Sequence, residues 1–337
     1  MNKIIKLESL RGFAGLYVTL AHLILRLRFV PDYVKLLFRF GQEAVILFFV
    51  LSGFVIYLNY EKGKEKPLSL YFIKRFRRIY FPFICAILIS IILVRPSFSL
   101  KELIGNLLML QDFRRGKPGN LINPFLGNIP LWSLSYEWTF YLIFPFILPA
   151  IQKSKLRVHF IGVFSTINLI IYILFPNHLP LVLAYFLIWW TGLEMCDWFL
   201  GNSDKSNQKA LIFYHLIMVL ILIIDCIIFY KIRKNINTGY YPYVVLRHFG
   251  FSLLCLFLYL YLYRLTNYIV GFLRPFSIIA PISYGIYVLN YPILIQANFN
   301  LPYYLEILVK FILLFGLAFL IEVVLQPQVN KVIKLYR

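Results

Sequence analysis

Charge is scarce in this chain, and acidic charge is scarcest. Only 14% of the 337 residues are charged, 14 acidic against 34 basic, whereas soluble domains run near a quarter charged. So few charges cannot cover a water-exposed surface, which excludes an ordinary soluble fold. Cysteine is sparse as well. Cys85, Cys196, Cys226 and Cys255 fall in or beside apolar runs without CxxC spacing, so neither a disulfide framework nor a zinc site is indicated and no metal is expected. No long polar segment, repeat or low-complexity tract interrupts the chain. The expectation is one transmembrane domain over residues 1–337 with no appended soluble domain.

What abounds is apolar surface. Hydrophobic residues make up 61% of the sequence and aromatics 19%, for a mean hydropathy of +0.77. They come in blocks near the ~20 residues that a helix needs to cross a bilayer. Ten blocks are legible: Leu10–Leu27, Ala44–Leu58, Ile79–Val94, Leu131–Ala150, Val158–Phe175, Leu179–Leu200, Leu211–Tyr230, Val244–Leu265, Ser277–Gln296 and Tyr304–Gln326. The fold class is therefore all-α, a polytopic transmembrane bundle of about ten spans. Leu100–Leu110 is too short to cross and reads as an interfacial or re-entrant helix. The first block carries His22 and leads into Arg26 and Arg28 without a small-x-small cleavage site, so it reads as a retained span rather than a secretory signal.

The net charge of +20 would suggest nucleic acid in a soluble protein. In a membrane protein, basic residues collect at the cytoplasmic face and on anionic headgroups, so lipid is the expected partner and nucleic acid is not. With both termini inside, 20 of the 34 basic residues face the cytosol. The expected location is the cytoplasmic membrane, with N and C termini inward.

Ionisable residues inside spans are costly and mark function. His22 follows Arg11 by eleven residues, and eleven helical steps return to within roughly 20° of the same face, about 16 Å further along. One face thus presents a cation at the inner edge and an imidazole deep in the span, the latter a candidate base or nucleophile. Arg75 and Arg78 stand at i and i+3 before the third span, a spacing that puts two guanidinium forks on one helical face, suited to phosphate. Glu137 lies roughly 9 Å into the fourth span, accompanied by Ser133, Ser135 and Thr139. Each feature also has a structural reading, as a topology-setting anchor or a helix–helix hydrogen bond.

Five blocks, in order, carry a resemblance. Glu8-Ser9-Leu10-Arg11-Gly12-Phe13-Ala14 with His22, Leu47 to Phe54 reading LFFVLSGF, Arg75 with Arg78, Trp132 to Glu137 reading WSLSYE with Phe140-Tyr141 and Phe144-Pro145, and Ile282 to Tyr287 reading ISYGIY with Tyr291-Pro292 together resemble the bacterial acyltransferase family 3, the O-antigen acetylase-like membrane acyltransferases. The resemblance implies an O-acetyltransferase modifying polysaccharide, with acetyl-CoA or another acyl-CoA as donor and a cell-envelope carbohydrate as acceptor. It implies a catalytic role for His22 and acyl-CoA use at Arg75 and Arg78, to which Arg11 adds a third cation. Glu137 is expected to orient the imidazole or stabilise its protonated form, as a carboxylate does in a triad. Two positions depart from the family's pattern: Ile46 stands where an acidic residue is common, with Glu43 three residues earlier, and Asn290 stands where a histidine is common. A transporter or flippase for a glycan or small metabolite, with His22, Glu137 and Asp225 as a proton relay, is the alternative.

Overall fold

Lipid offers no hydrogen bonds to a backbone, so a chain this apolar must satisfy its N–H and C=O groups within helices. The structure, a computed structural model, describes residues 3–63, 67–94, 97–113, 116–202 and 205–335. Residues 64–66 and Arg337, which belong to two of the basic clusters, lie outside these. The described residues form α1 (Lys3–Ile24), α2 (Asp32–Leu37), α3 (Gly41–Glu61), α4 (Leu68–Val94), α5 (Leu100–Leu107), α6 (Trp132–Ile151), α7 (Arg157–Leu174), α8 (His178–Ala184), α9 (Phe186–Phe199), α10 (Lys205–Arg233), α11 (Tyr243–Tyr261), α12 (Tyr263–Phe272), α13 (Ser283–Asn290), α14 (Tyr303–Phe319) and α15 (Gln326–Leu335). The fold is all-α, and its only β-type contact among these residues is an isolated bridge between Gln111 and Ile122.

Among the described residues, eight helical stretches are long and apolar enough to cross a membrane. The two remaining expected spans are α1 and the 277–296 segment. Both are helical, and both are packed by protein rather than lipid: Ser9, Ala14 and Thr19 of α1 and Ile286, Val288 and Leu289 of α13 are completely buried. Protein neighbours tolerate polar atoms that lipid does not, which is why α1 can carry Lys6, Glu8 and Arg11. In contrast, α10 turns Phe213, Leu216, Leu220, Ile224 and Ile228 outward, a face suited to acyl chains.

The 277–296 segment is not the single straight helix its apolar run suggests. It consists of 3-10 turns at Arg274–Ile278 and Ala280–Ile282, then α13, then a π-helical turn at Tyr291–Gln296. Pro275, Pro281 and Pro292 open the irregular pieces, and each removes an N–H that a regular helix would use. The short Leu100–Leu107 helix bears out the reading of that run as non-spanning.

Buried ion pairs tie the helices together. Arg157 donates from Nε to Glu194 at 2.9 Å and from Nη2 to Glu194 at 2.7 Å and Asp197 at 2.5 Å, while Tyr57 on α3 donates to Asp197 at 2.8 Å. Arg157 is only 8% exposed and is neutralised within the bundle, although the count of cytosol-facing basic residues includes it. Glu43 accepts two bonds of 2.7 Å from Arg247, which joins the start of α3 to α11.

Glycine sets two close approaches. A Cβ at Gly12 would stand 1.8 Å from the Phe276 carbonyl oxygen, and one at Gly192 would stand 1.8 Å from that of Val50. Small residues allow such backbone contact, which drives helix association in lipid. Gly192→Ala therefore forces α9 away from α3, and overpacking of this kind costs about 1–3 kcal/mol. Gly250 on α11 has open space around it, so Gly250→Ala is expected to be neutral or slightly stabilising. Thermal unfolding of the purified protein should show Gly192→Ala losing stability while Gly250→Ala keeps it or gains slightly.

Candidate functional site

Helix α4 begins eleven residues before the apolar run that announces it, so Arg75 and Arg78 are helical and share a face turned into the bundle. That face meets α1, α3, α6 and α13 around an open-mouthed cavity with about 820 Å³ of empty space. Arg11, Arg75 and Arg78 all line it, together with Glu137, Ser52, Tyr141 and Tyr284. The cations expected from two separate places in the sequence, Arg11 and the Arg75/Arg78 pair, are thus in one chamber. Glu137 belongs to the same chamber: its Oε1 accepts from Ser52 at 2.8 Å and from the Tyr141 hydroxyl.

The three arginines differ in how they are held. Arg78 is paired with Glu322, whose side chain is fully buried, and lies 5.7 Å from the Tyr284 ring. Arg75 sits 5.7 Å over Tyr71 and 5.8 Å over Tyr141, and its buried Nε has no hydrogen-bond partner. Among the described residues, no carboxylate forms an ion pair with Arg11 or Arg75. Guanidinium groups stacked on aromatic faces without a carboxylate keep their forks available for a planar or tetrahedral anion.

His22 faces a second cavity, lined also by Val18, Gln42, Lys117, Pro130 and Trp132. Its Nδ1 lies 2.8 Å from Asn290 Oδ1. The Asn290 amide nitrogen donates to the carbonyls of Ile286 at 3.2 Å and Tyr287 at 2.7 Å. With its NH₂ committed to the backbone, Asn290 presents an acceptor to the ring, so Nδ1 carries the proton and Nε2 carries the lone pair. Tyr291 packs edge-on against the imidazole with centroids 5.7 Å apart, and Arg26 donates to its hydroxyl at 2.5 Å. The orienting partner of His22 is therefore Asn290; Glu137 bonds elsewhere, in the arginine chamber.

A buried cluster where the loop before α6 meets that helix closes the His22 cavity. Lys117 lies 3.0 Å from Asp112 and donates to Tyr136 at 3.0 Å, Tyr136 donates to Asp112 at 2.6 Å, and the Lys117 ammonium lies 3.5 Å over the Trp132 ring. Burial alone would raise the Asp112 carboxyl, but the Lys117 ammonium, aided by His178 and Tyr136, holds it down at about 2. The same burial pulls Lys117 down to about 8 against the opposing pull of Asp112. Lys117, Asn290 and Glu322 were not singled out as site residues in the sequence. Glu322 carried a usable signal, a carboxylate inside the last apolar span; Lys117 sits in a Gly- and Pro-rich loop and carried none.

The profile of a family described as the acyltransferase domain matches residues 4–326. Among characterised proteins, the acyltransferase MdmB of Streptomyces mycarofaciens is 30% identical over 173 residues, which is 46% of this chain and 42% of that protein. The chain thus aligns with less than half the length of that relative. No solved structure matches it.

The Asp112–Lys117 pair yields a prediction on stability. Because the Asp112 pKa is depressed in the folded protein, its charge stabilises the fold above the ordinary carboxylate range, and that contribution is lost as pH falls through about 2. Lys117→Met leaves a buried carboxylate without its cation, at a cost of about 3–5 kcal/mol. Adding Asp112→Asn removes the stranded charge and should restore part of the loss. Thermal unfolding of the two variants at neutral pH tests this: a double variant no better than Lys117→Met would mean the pair is not coupled.

Proposed function

The chain belongs to acyltransferase family 3, whose profile spans it, and from that premise we propose that it transfers an acetyl or other short acyl group from cytosolic acyl-CoA to a hydroxyl of a cell-envelope or exported carbohydrate. The observation that carries this reading is the adjacency of two chambers, one lined by Arg11, Arg75 and Arg78 and the next by His22. A polyphosphate donor suits the first and proton transfer suits the second. The protein lies in the cytoplasmic membrane with both termini inward, so that α4 offers its arginines from the cytosolic side.

In this scheme the phosphates of CoA are held by the free forks of Arg11 and Arg75 and the remaining donors of Arg78. The pantetheine arm extends past Ser52, Tyr141 and Glu137, where the carboxylate fixes the two hydroxyls along the path. The acceptor hydroxyl enters the His22 cavity and gives its proton to Nε2 as its oxygen attacks the thioester carbonyl. The tetrahedral intermediate collapses, the C–S bond breaks, and the imidazolium returns the proton to the departing thiolate. Asn290 holds Nδ1–H throughout, the orienting role that a carboxylate fills in other triads. A neutral amide does this without adding a buried charge. An acyl-histidine route would use the same nitrogen.

Release of free CoA from acetyl-CoA by the purified protein is the direct test. His22→Ala should reduce acceptor-dependent release at least ~10²-fold while expression and insertion stay normal, and a well-folded, active His22→Ala protein would sink the scheme. For the donor site, Arg75→Lys and Arg78→Lys retain the charge that sets topology but lose the fork. Each should insert normally and weaken CoA binding by roughly 1–3 kcal/mol. If both bind CoA like wild type, the arginines are topological anchors only.

A further inference from the structure

Two residues, Val45 and Tyr287, line both chambers, and in the scheme above a donor anchored at the arginines presents its acyl group to His22 by reaching between them. The two side chains differ in freedom. Tyr287 is pinned: its hydroxyl donates to the Pro130 carbonyl at 2.5 Å and lies 2.8 Å from Ser133 Oγ, which ties α13 to the start of α6, and its ring sits 6.0 Å from that of Phe48. Val45, on α3, is 4% exposed and as a β-branched residue on a helix has essentially one rotamer. Two side chains with so little freedom make a fixed boundary between the chambers.

We propose that Val45 and Tyr287 form the aperture that selects the acyl group, admitting acetyl and other short chains and excluding longer ones. This rests on the donor reading given above and goes beyond it, because it names the residues that measure the donor's acyl length. Neither residue exchanges a proton or touches the leaving thiolate; they are specificity-determining residues. The steric logic is asymmetric. Removing two methyl groups at position 45 opens the aperture to longer chains, whereas restoring bulk closes it, and single-methylene differences in such apolar sites are read as ~10- to 200-fold discrimination.

The test measures CoA release from acetyl-, butyryl- and hexanoyl-CoA by the purified full-length protein and compares kcat/KM ratios between donors, so that general losses of active protein cancel. Wild type should favour acetyl-CoA, and Val45→Ala should raise the hexanoyl-to-acetyl ratio at least ~10-fold. Val45→Phe should lower release from every donor; if that variant fails to fold, Val45→Ala decides alone. Tyr287→Phe, which keeps the ring but frees it from Pro130 and Ser133, should also relax selectivity. An unchanged ratio in Val45→Ala would overturn the aperture while leaving the acyltransferase reading intact. A wild-type protein that releases CoA from none of the three donors would overturn that reading itself, and the aperture with it.

Discussion

The seating of α1 against the irregular segment 274–290 is the constraint on which the site depends. At Gly12 the helix backbone approaches the Phe276 carbonyl too closely for any side chain, and Ala14, Val18 and Ala21 continue a small-residue face with almost no exposure. Held this way, α1 delivers Arg11 to a chamber shared with Arg75 and Arg78 and, three turns later, His22 to Asn290. A rotation of α1 by one residue would carry both groups, which share a helix face, away from their partners together.

The electrostatics of the bundle separate two kinds of arginine. Arg157 and Arg247 are neutralised in bidentate pairs with Glu194 and Glu43, as buried charges must be when they serve structure alone. Arg75 keeps only aromatic faces, and Arg11 has no ion-pair partner among the described residues, so the three guanidinium groups of that chamber outnumber the carboxylates beside them, Glu137 in its lining and Glu322 paired to Arg78. With 34 basic residues against 14 acidic ones, the chain has too few carboxylates to pair every cation. Several of those it has sit at helix junctions, as Glu43, Glu194 and Asp197 do, and the arginine chamber is left positive.

Histidine chemistry in a membrane interior requires a fixed tautomer without a second buried charge. Asn290 supplies it: two backbone carbonyls capture its NH₂, and its oxygen is left for Nδ1–H. The His22 cavity is closed by a different device, Lys117 of the loop before α6, held by Asp112 of that loop and by Tyr136 and Trp132 of α6. Pro130 and Trp132 also line the cavity, so the cluster helps to shape its wall.

Composition and hydropathy alone determined the all-α membrane class, because no soluble fold can hide this much apolar surface and no backbone can cross lipid unpaired. They also determined most span positions, since apolar runs bounded by charge are local features. Helical spacing placed Arg11 with His22 and Arg75 with Arg78 on shared faces before any tertiary contact was known. Only the tertiary structure decided which faces meet: that the three arginines and Glu137 share a chamber, that His22 is oriented by Asn290 rather than Glu137, and that Val45 and Tyr287 stand between the two. Those pairings join residues up to 268 positions apart, and nothing in local periodicity carries contacts across that distance. The proline-broken segment around α13 was misread as one straight span for a related reason, since its apolar composition reports burial but not whether lipid or protein provides it.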